Sequence, residues 1–113
     1  TAEAAAPAAE AGVETPLPSD PVARGQALYS QGEQQYAAGH YAEALDLFNQ
    51  ILAIPGLGQP TYATMLWNVA RCHQRLGNNA AAIAMLRAYL AQPGLSDADR
   101  AGANELIAQL QRP

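Results

Sequence analysis

The sequence contains no lysine, one cysteine, one tryptophan, one phenylalanine and two methionines. Each scarcity removes a class of function. A lone Cys72 forms no internal disulfide and cannot assemble a thiolate metal cage. Three valines, four isoleucines and one phenylalanine leave little strand-forming material, while Ala, Leu, Gln and Glu abound, so the chain reads as all-α. Of its 113 residues, twenty-six are alanine, so the 50% hydrophobic fraction overstates the material for a core. One small domain is what this length accommodates. The longest run without charge, 47–70, is broken by Pro55 and Pro60 and cannot be a membrane helix. The chain starts at Thr1 with no apolar signal core, which reads as a processed form or an excised piece and leaves a signal or anchor upstream open.

Charge is distributed unevenly. Residues 1–20 carry Glu3, Glu10, Glu14 and Asp20 and no base, whereas six acids and six arginines cancel over 21–113. The net charge of −4 therefore belongs to the N-terminal segment. Without a cluster of cations facing phosphate, nucleic acid is excluded as a partner. The all-arginine, alanine-rich composition points to a GC-rich bacterial source.

Residues 1–20 are Ala, Pro and Glu with almost nothing to bury, and Pro7, Gly12, Pro16 and Pro18 interrupt every helical stretch, so a disordered acidic linker is expected there. Order is expected from Ser19-Asp20-Pro21, an N-cap followed by a first-turn proline. Stop signals at Gly39-His40, Pro55-Gly56, Gly77-Asn78 and Pro93-Gly94 then divide the rest into five helices. Helical hairpins are expected over 21–55 and 59–93, with a capping helix over 96–111 opened by a Ser96/Asp99 capping box.

The strongest signal is self-similarity at a step of 38: Leu28 and Leu66, Gly32 and Ala70, Gly39 and Gly77, Ala44 and Ala82, Phe48 and Leu86, Leu52 and Leu90. The loop Pro55-Gly56-Leu57 recurs as Pro93-Gly94-Leu95, and Ile107 falls one further step beyond Val69. A fixed period of this size marks stacked hairpins. Small residues on facing helices (Gly32 with Ala44, Ala70 with Ala82) allow close crossing, and larger neighbours fill the flanks.

Gly32, Gly39-His40-Tyr41, Ala44 and Phe48, repeated as Ala70, Leu76-Gly77, Ala82 and Leu86, resemble the tetratricopeptide repeat. The resemblance covers about ninety residues and implies a short right-handed solenoid of antiparallel helical hairpins. The chain departs from the family in its 38-residue spacing, in bulky Ile51 and Tyr89 where a small alanine is usual, and in Gln31 and Asn79 at positions preferring leucine and an aromatic.

Catalytic and metal-binding constellations are lacking. His73 sits on the stripe Leu66, Val69, Ala70, His73, Leu76, read as core, with His73 as a hydrogen-bonded interhelix residue. Cys72 points about 100° away from it, so the pair can neither share a metal nor act as nucleophile and base. His40 reads as a loop residue and Glu43 with Asp46 as a solvated face. The GLG of 56–58 follows a helix and lacks a lysine, so it reads as a turn. Neither an enzyme nor a cofactor is expected.

The other face of the third helix carries Trp67, Arg71, Gln74 and Arg75, beside Asn68, and the first helix carries Tyr29, Glu33 and Tyr36 at matching spacing. The resemblance implies that first helices line a concave groove, so these eight residues are the candidate partner-binding set. Aromatic faces and guanidiniums suit capture of a carboxylate-bearing protein or peptide segment. The alternative for Trp67 is space-filling between hairpins. The set lacks the lysines of a co-chaperone carboxylate clamp.

Three functions stay open: an adaptor or assembly module tethered by the linker, a secretion chaperone, and a self-assembly element forming homo-oligomers. The second rests on LYSQGEQQYAAGHYAEALDLF, which resembles repeats of cytoplasmic type III translocator chaperones. The tethered reading favours a periplasmic or membrane-anchored setting, and the chaperone reading a cytoplasmic one. An upstream signal or transmembrane segment in the full-length gene would favour the adaptor, and a neighbouring secretion operon the chaperone; those chaperones have three full repeats, where this chain has two and a half.

Overall fold

In the computed structural model, residues 19–112 are described; the expected linker over 1–20 falls, but for its last two residues, outside that range. Five helices follow one another: α1 (Pro21–Ala37), α2 (Tyr41–Leu52), α3 (Thr61–Arg75), α4 (Asn79–Leu90) and α5 (Asp97–Gln111). There is no strand among the described residues. α1 packs on α2 and α3 on α4 as antiparallel hairpins, α2 on α3 joins the two, and α5 closes on α4.

Local chemistry sets each boundary. Asp20 caps α1 by accepting the Ala23 N–H at 2.9 Å, and Pro21 loses nothing at a position where its amide would have no helical partner. Ser96 caps α5 through the Asp99 N–H at 3.0 Å, which is the Ser96 half of the expected box. α3 starts at Thr61, one residue after Pro60, and its Ala63 N–H is taken by the Gln59 side-chain oxygen at 3.3 Å. The hairpin turns are identical in form. His40 N–H donates to Gln35 O at 2.8 Å and Gly39 N–H to Tyr36 O at 3.0 Å, and Asn78 and Gly77 repeat this on His73 and Gln74 at 2.8 and 3.1 Å. Gly39 and Gly77 have φ of +84° and +81°, the left-handed conformation this helix end requires.

Two apolar clusters make the core, and α3 belongs to both. Met65, Val69 and Cys72 face hairpin one, where they meet Leu28, Phe48 and Ile51. Ala63, Leu66 and Ala70 face hairpin two, with Leu86, Tyr89 and, from α5, Ala103 and Ile107. Met65 and Cys72 thus lie on a second buried face beside the expected stripe. That stripe is shorter than expected, because Leu76 is 39% exposed and His73 only half-buried. Leu76 is the C-cap of α3, at the turn into Gly77.

The close crossings have a specific cause. A Cβ on Gly32 would lie 2.6 Å from Cε1 of Phe48, so the ring of Phe48 occupies the space a side chain would need. In hairpin two Leu86 stands in place of Phe48, and there Ala70 fits with its methyl fully buried. Ile51 and Tyr89, the bulky departures from the repeat pattern, are both buried at junctions between hairpins or with α5.

Two glycine substitutions should therefore move stability in opposite directions. Gly32→Ala gains about 1 kcal/mol of helix propensity but forces the buried Phe48 ring aside, an overpacking cost of about 1–3 kcal/mol, and should lower the urea midpoint. Gly102→Ala, on α5 with no atom within 4 Å of the added methyl, should raise stability by about 0.5–1 kcal/mol. Equal shifts for both would contradict the packing described at Phe48.

Candidate functional site

α1 and α3 both line one groove, and its two ends are built differently. At the C-terminal end, Glu33, Tyr36, Asn68, Arg71 and Arg75 line a concavity of about 730 Å³ floored by Phe48. Helical spacing puts Arg71 and Arg75 one turn apart, and α1 presents Glu33 and Tyr36 opposite them. At the N-terminal end, an apolar cleft of about 420 Å³ opens between α1, the 54–60 loop and the first turn of α3, with Val22, Tyr29 and Met65 among its walls.

The basic end is partly organised. Arg75 donates from Nε to the Tyr36 hydroxyl at 3.2 Å and its guanidinium carbon lies 5.9 Å from the centre of the Tyr41 ring. Tyr36 and Tyr41 meet edge to face at 5.0 Å, so Arg75 rests on a two-ring platform. The hydrogen bond from Arg75 to Tyr36 holds its pKa above the ordinary value. Glu33 turns away, accepting the Tyr29 hydroxyl at 2.7 Å, which raises the Tyr29 pKa. Arg71 differs: its Nε is buried and has no hydrogen-bond partner among the described residues. A buried donor left unpaired is costly, so a re-orientation of the guanidinium toward an acceptor in the concavity would relieve that cost.

Five of the eight candidate residues thus meet in one concavity, and three do not. Tyr29 lines the apolar cleft and lies against Phe48 at 6.1 Å between ring centres. Trp67 sits in a separate notch between α3 and α5, its ring 5.4 Å from that of Tyr89. The expectation that it faces the α1 stripe is corrected: Tyr89, where hairpin one has Ile51, provides a ring for it to pack on. Gln74 lines none of these hollows, and its side-chain oxygen is buried without a partner. Tyr41 and Phe48 were missing from the candidate set because they belong to the second helix of the hairpin; the end of the Gly39-His40 turn places Tyr41 beside the groove.

The remaining reactive groups stay outside this groove. Burial pushes the Cys72 thiol up to about 11, so it is neutral and unreactive at pH 7. His73 Nδ1 has no hydrogen-bond partner, which corrects the expected interhelix bond, and burial lowers its pKa. His40 is exposed in its turn beside the Gln35 side chain at 2.8 Å. Among the described residues no three His, Cys, Asp or Glu side chains cluster as metal ligands, and no helix is long and apolar enough to cross a membrane.

Comparison with known families decides the class. A family model described as Tetratricopeptide repeat matches residues 35–110. The chain belongs to the tetratricopeptide repeat family. Repeats of this family are in general non-catalytic protein-interaction units, so a protein partner is the class of ligand assigned to it. No curated protein and no solved structure matches the chain. Within this repeat protein the groove between first helices is where α1 and α3 place Glu33, Tyr36, Asn68, Arg71 and Arg75, and the hairpin crossings behind it hold Gly32 and the buried Ala44, Ala70 and Ala82.

The lowered pKa of His73 gives a signed pH dependence. The unfolded chain, with the ordinary value of 6.5, binds a proton that the folded chain resists. Folding stability should therefore fall as pH drops through 6.5 toward the lower folded value, and His73→Gln should remove that part of the slope. An NMR titration midpoint for His73 at or above 6.5 would contradict the burial argument.

Proposed function

We propose that this repeat domain is an adaptor that holds a carboxylate-bearing segment of a partner protein at the C-terminal end of its α1–α3 groove. One observation carries the reading: Arg71, whose Nε is buried without a hydrogen-bond partner among the described residues, lines a concavity that also contains Arg75 and Asn68. Arg75 is already oriented by Tyr36, so less side-chain entropy is lost when it meets a carboxylate. Asn68, half-buried on the same wall, supplies an amide that can donate beside them. No catalytic role is proposed, because the groove holds no nucleophile paired with a base.

The contact should be of modest strength. Exposed ion pairs contribute about 0–1 kcal/mol each, so affinity comes from the unpaired Arg71 donor and from contact with Tyr36 and Phe48. The linker expected over the N-terminal residues would let such a module reach its partner while fixed elsewhere.

Fluorescence anisotropy with an aspartate- and glutamate-rich heptapeptide library tests the reading. Acidic members should bind, weakening between 50 and 300 mM salt as the screening length shortens to below about 10 Å. Arg71→Glu with Arg75→Glu should abolish binding and leave the circular dichroism unchanged, since neither side chain contributes to the apolar clusters. Unchanged affinity in that double variant would place the binding surface elsewhere.

A further inference from the structure

The apolar cleft at the other end of the groove has an internal control. The notch that holds Trp67 is lined by Thr64, Trp67, Tyr89, Ala98, Asp99 and Gly102. Subtracting 38 from each number gives Gln26, Tyr29, Ile51, Pro60, Thr61 and Thr64, all of which line the cleft. The two hollows are therefore the same place in successive repeats.

They differ in what fills them. In the second repeat the chain entering α3 supplies Gln59, which donates to the Gln92 side chain at 2.6 Å, while the Tyr89 and Trp67 rings close over the interior. In the first repeat the equivalents of Gln59 and Gln92 are Pro21 and Ile54, and those of Tyr89 and Trp67 are Ile51 and Tyr29. The polar clasp is gone, the rings are fewer, and the hollow widens from about 350 to about 420 Å³. Val22 stands at its edge 68% exposed, the most exposed large hydrophobic of the described residues. An apolar hollow with an apolar rim is shaped for an apolar occupant.

We propose that this cleft seats the chain's own segment 13–18, with Leu17 as the side chain that enters it. Among residues 1–18, Val13 and Leu17 are the only apolar side chains larger than alanine or proline. Leu17 lies two residues before Ser19, within about 7 Å of it along an extended chain, and Pro21 and Val22 already form the cleft wall. The direction of entry is held by Arg24, which donates to the Ser19 carbonyl at 2.9 Å. Pro16 and Pro18 flank Leu17, so the segment favours an extended polyproline form that loses little entropy on docking, and neither proline brings an N–H that would be buried unpaired. Attachment this close to the site gives the segment a far higher effective concentration than a separate molecule has. A second copy offers a poorer occupant: apart from Val22, its exposed large hydrophobic among the described residues is Leu76, at 39%. The expected linker then shortens to residues 1–12. The docking is independent of the basic end and of whether that end binds a partner.

NMR on the full chain tests this. Nuclear Overhauser contacts should join the Leu17 methyls to Val22 and Leu57 within one chain, unchanged on dilution. Leu17→Ser should abolish them and shift the Val22, Leu57 and Met65 signals, with the circular dichroism unaltered because Leu17 precedes the first helix. Absence of those contacts, with the same three signals unmoved in Leu17→Ser, would overturn the proposal. So would contacts seen only between differently labelled chains, which would make a second copy the occupant.

Discussion

The fold depends on α3 being buried on two sides at once. Met65, Val69 and Cys72 serve the first hairpin, and Leu66 and Ala70 the second, so neither hairpin has a complete core without this helix. Each large buried side chain there is worth about 1.5–3 kcal/mol relative to exposure, and a two-hairpin domain of this size has few to spare. The repeat period shows how the two ends manage without a neighbour. On α1 the counterparts of Met65, Val69 and Cys72 are Ala27, Gln31 and Gln34, the last two exposed. On α5 the counterparts of Ala63, Leu66 and Ala70 are Ala101, Asn104 and Ala108, all exposed. Both end faces are thus small or polar where the central helix is apolar, and offer another hairpin little to bury.

Double burial also explains why the chemistry concentrates in one groove. With two faces of α3 committed to packing, Asn68, Arg71 and Arg75 are left on the remaining arc, facing α1. The hairpin turn then carries Tyr41 back beside Tyr36, giving Arg75 an aromatic seat. Arg71 has no such seat and keeps an unpaired donor. The contrast between a settled and an unsettled guanidinium, one helical turn apart, makes this concavity a better candidate than the convex surface, where Glu43 and Asp46 are simply exposed.

Much of the fold was legible because period and punctuation agree. Gly39 and Gly77 mark turns that only a left-handed residue completes, and the first four helices end within three residues of the expected stops. Packing partners were less legible. Gly32 was read as a small residue meeting Ala44, yet the atom that excludes a side chain there belongs to Phe48. The position of Trp67 depends on Tyr89, twenty-two residues away, and a single-helix stripe carries no information about which neighbour a ring will choose. Cys72 and Met65 lie off the single stripe read as core, because a helix with two buried faces breaks the one-stripe pattern on which periodicity arguments rest.

The most direct test of the account is amide chemical-shift mapping on the full chain as an aspartate- and glutamate-rich heptapeptide is added. The account predicts that the shifts concentrate on α1 and α3 around Glu33, Tyr36, Asn68, Arg71 and Arg75. Shifts gathered instead on the outer faces of α2 and α4, around Glu43, Asp46 and Arg87, would contradict it.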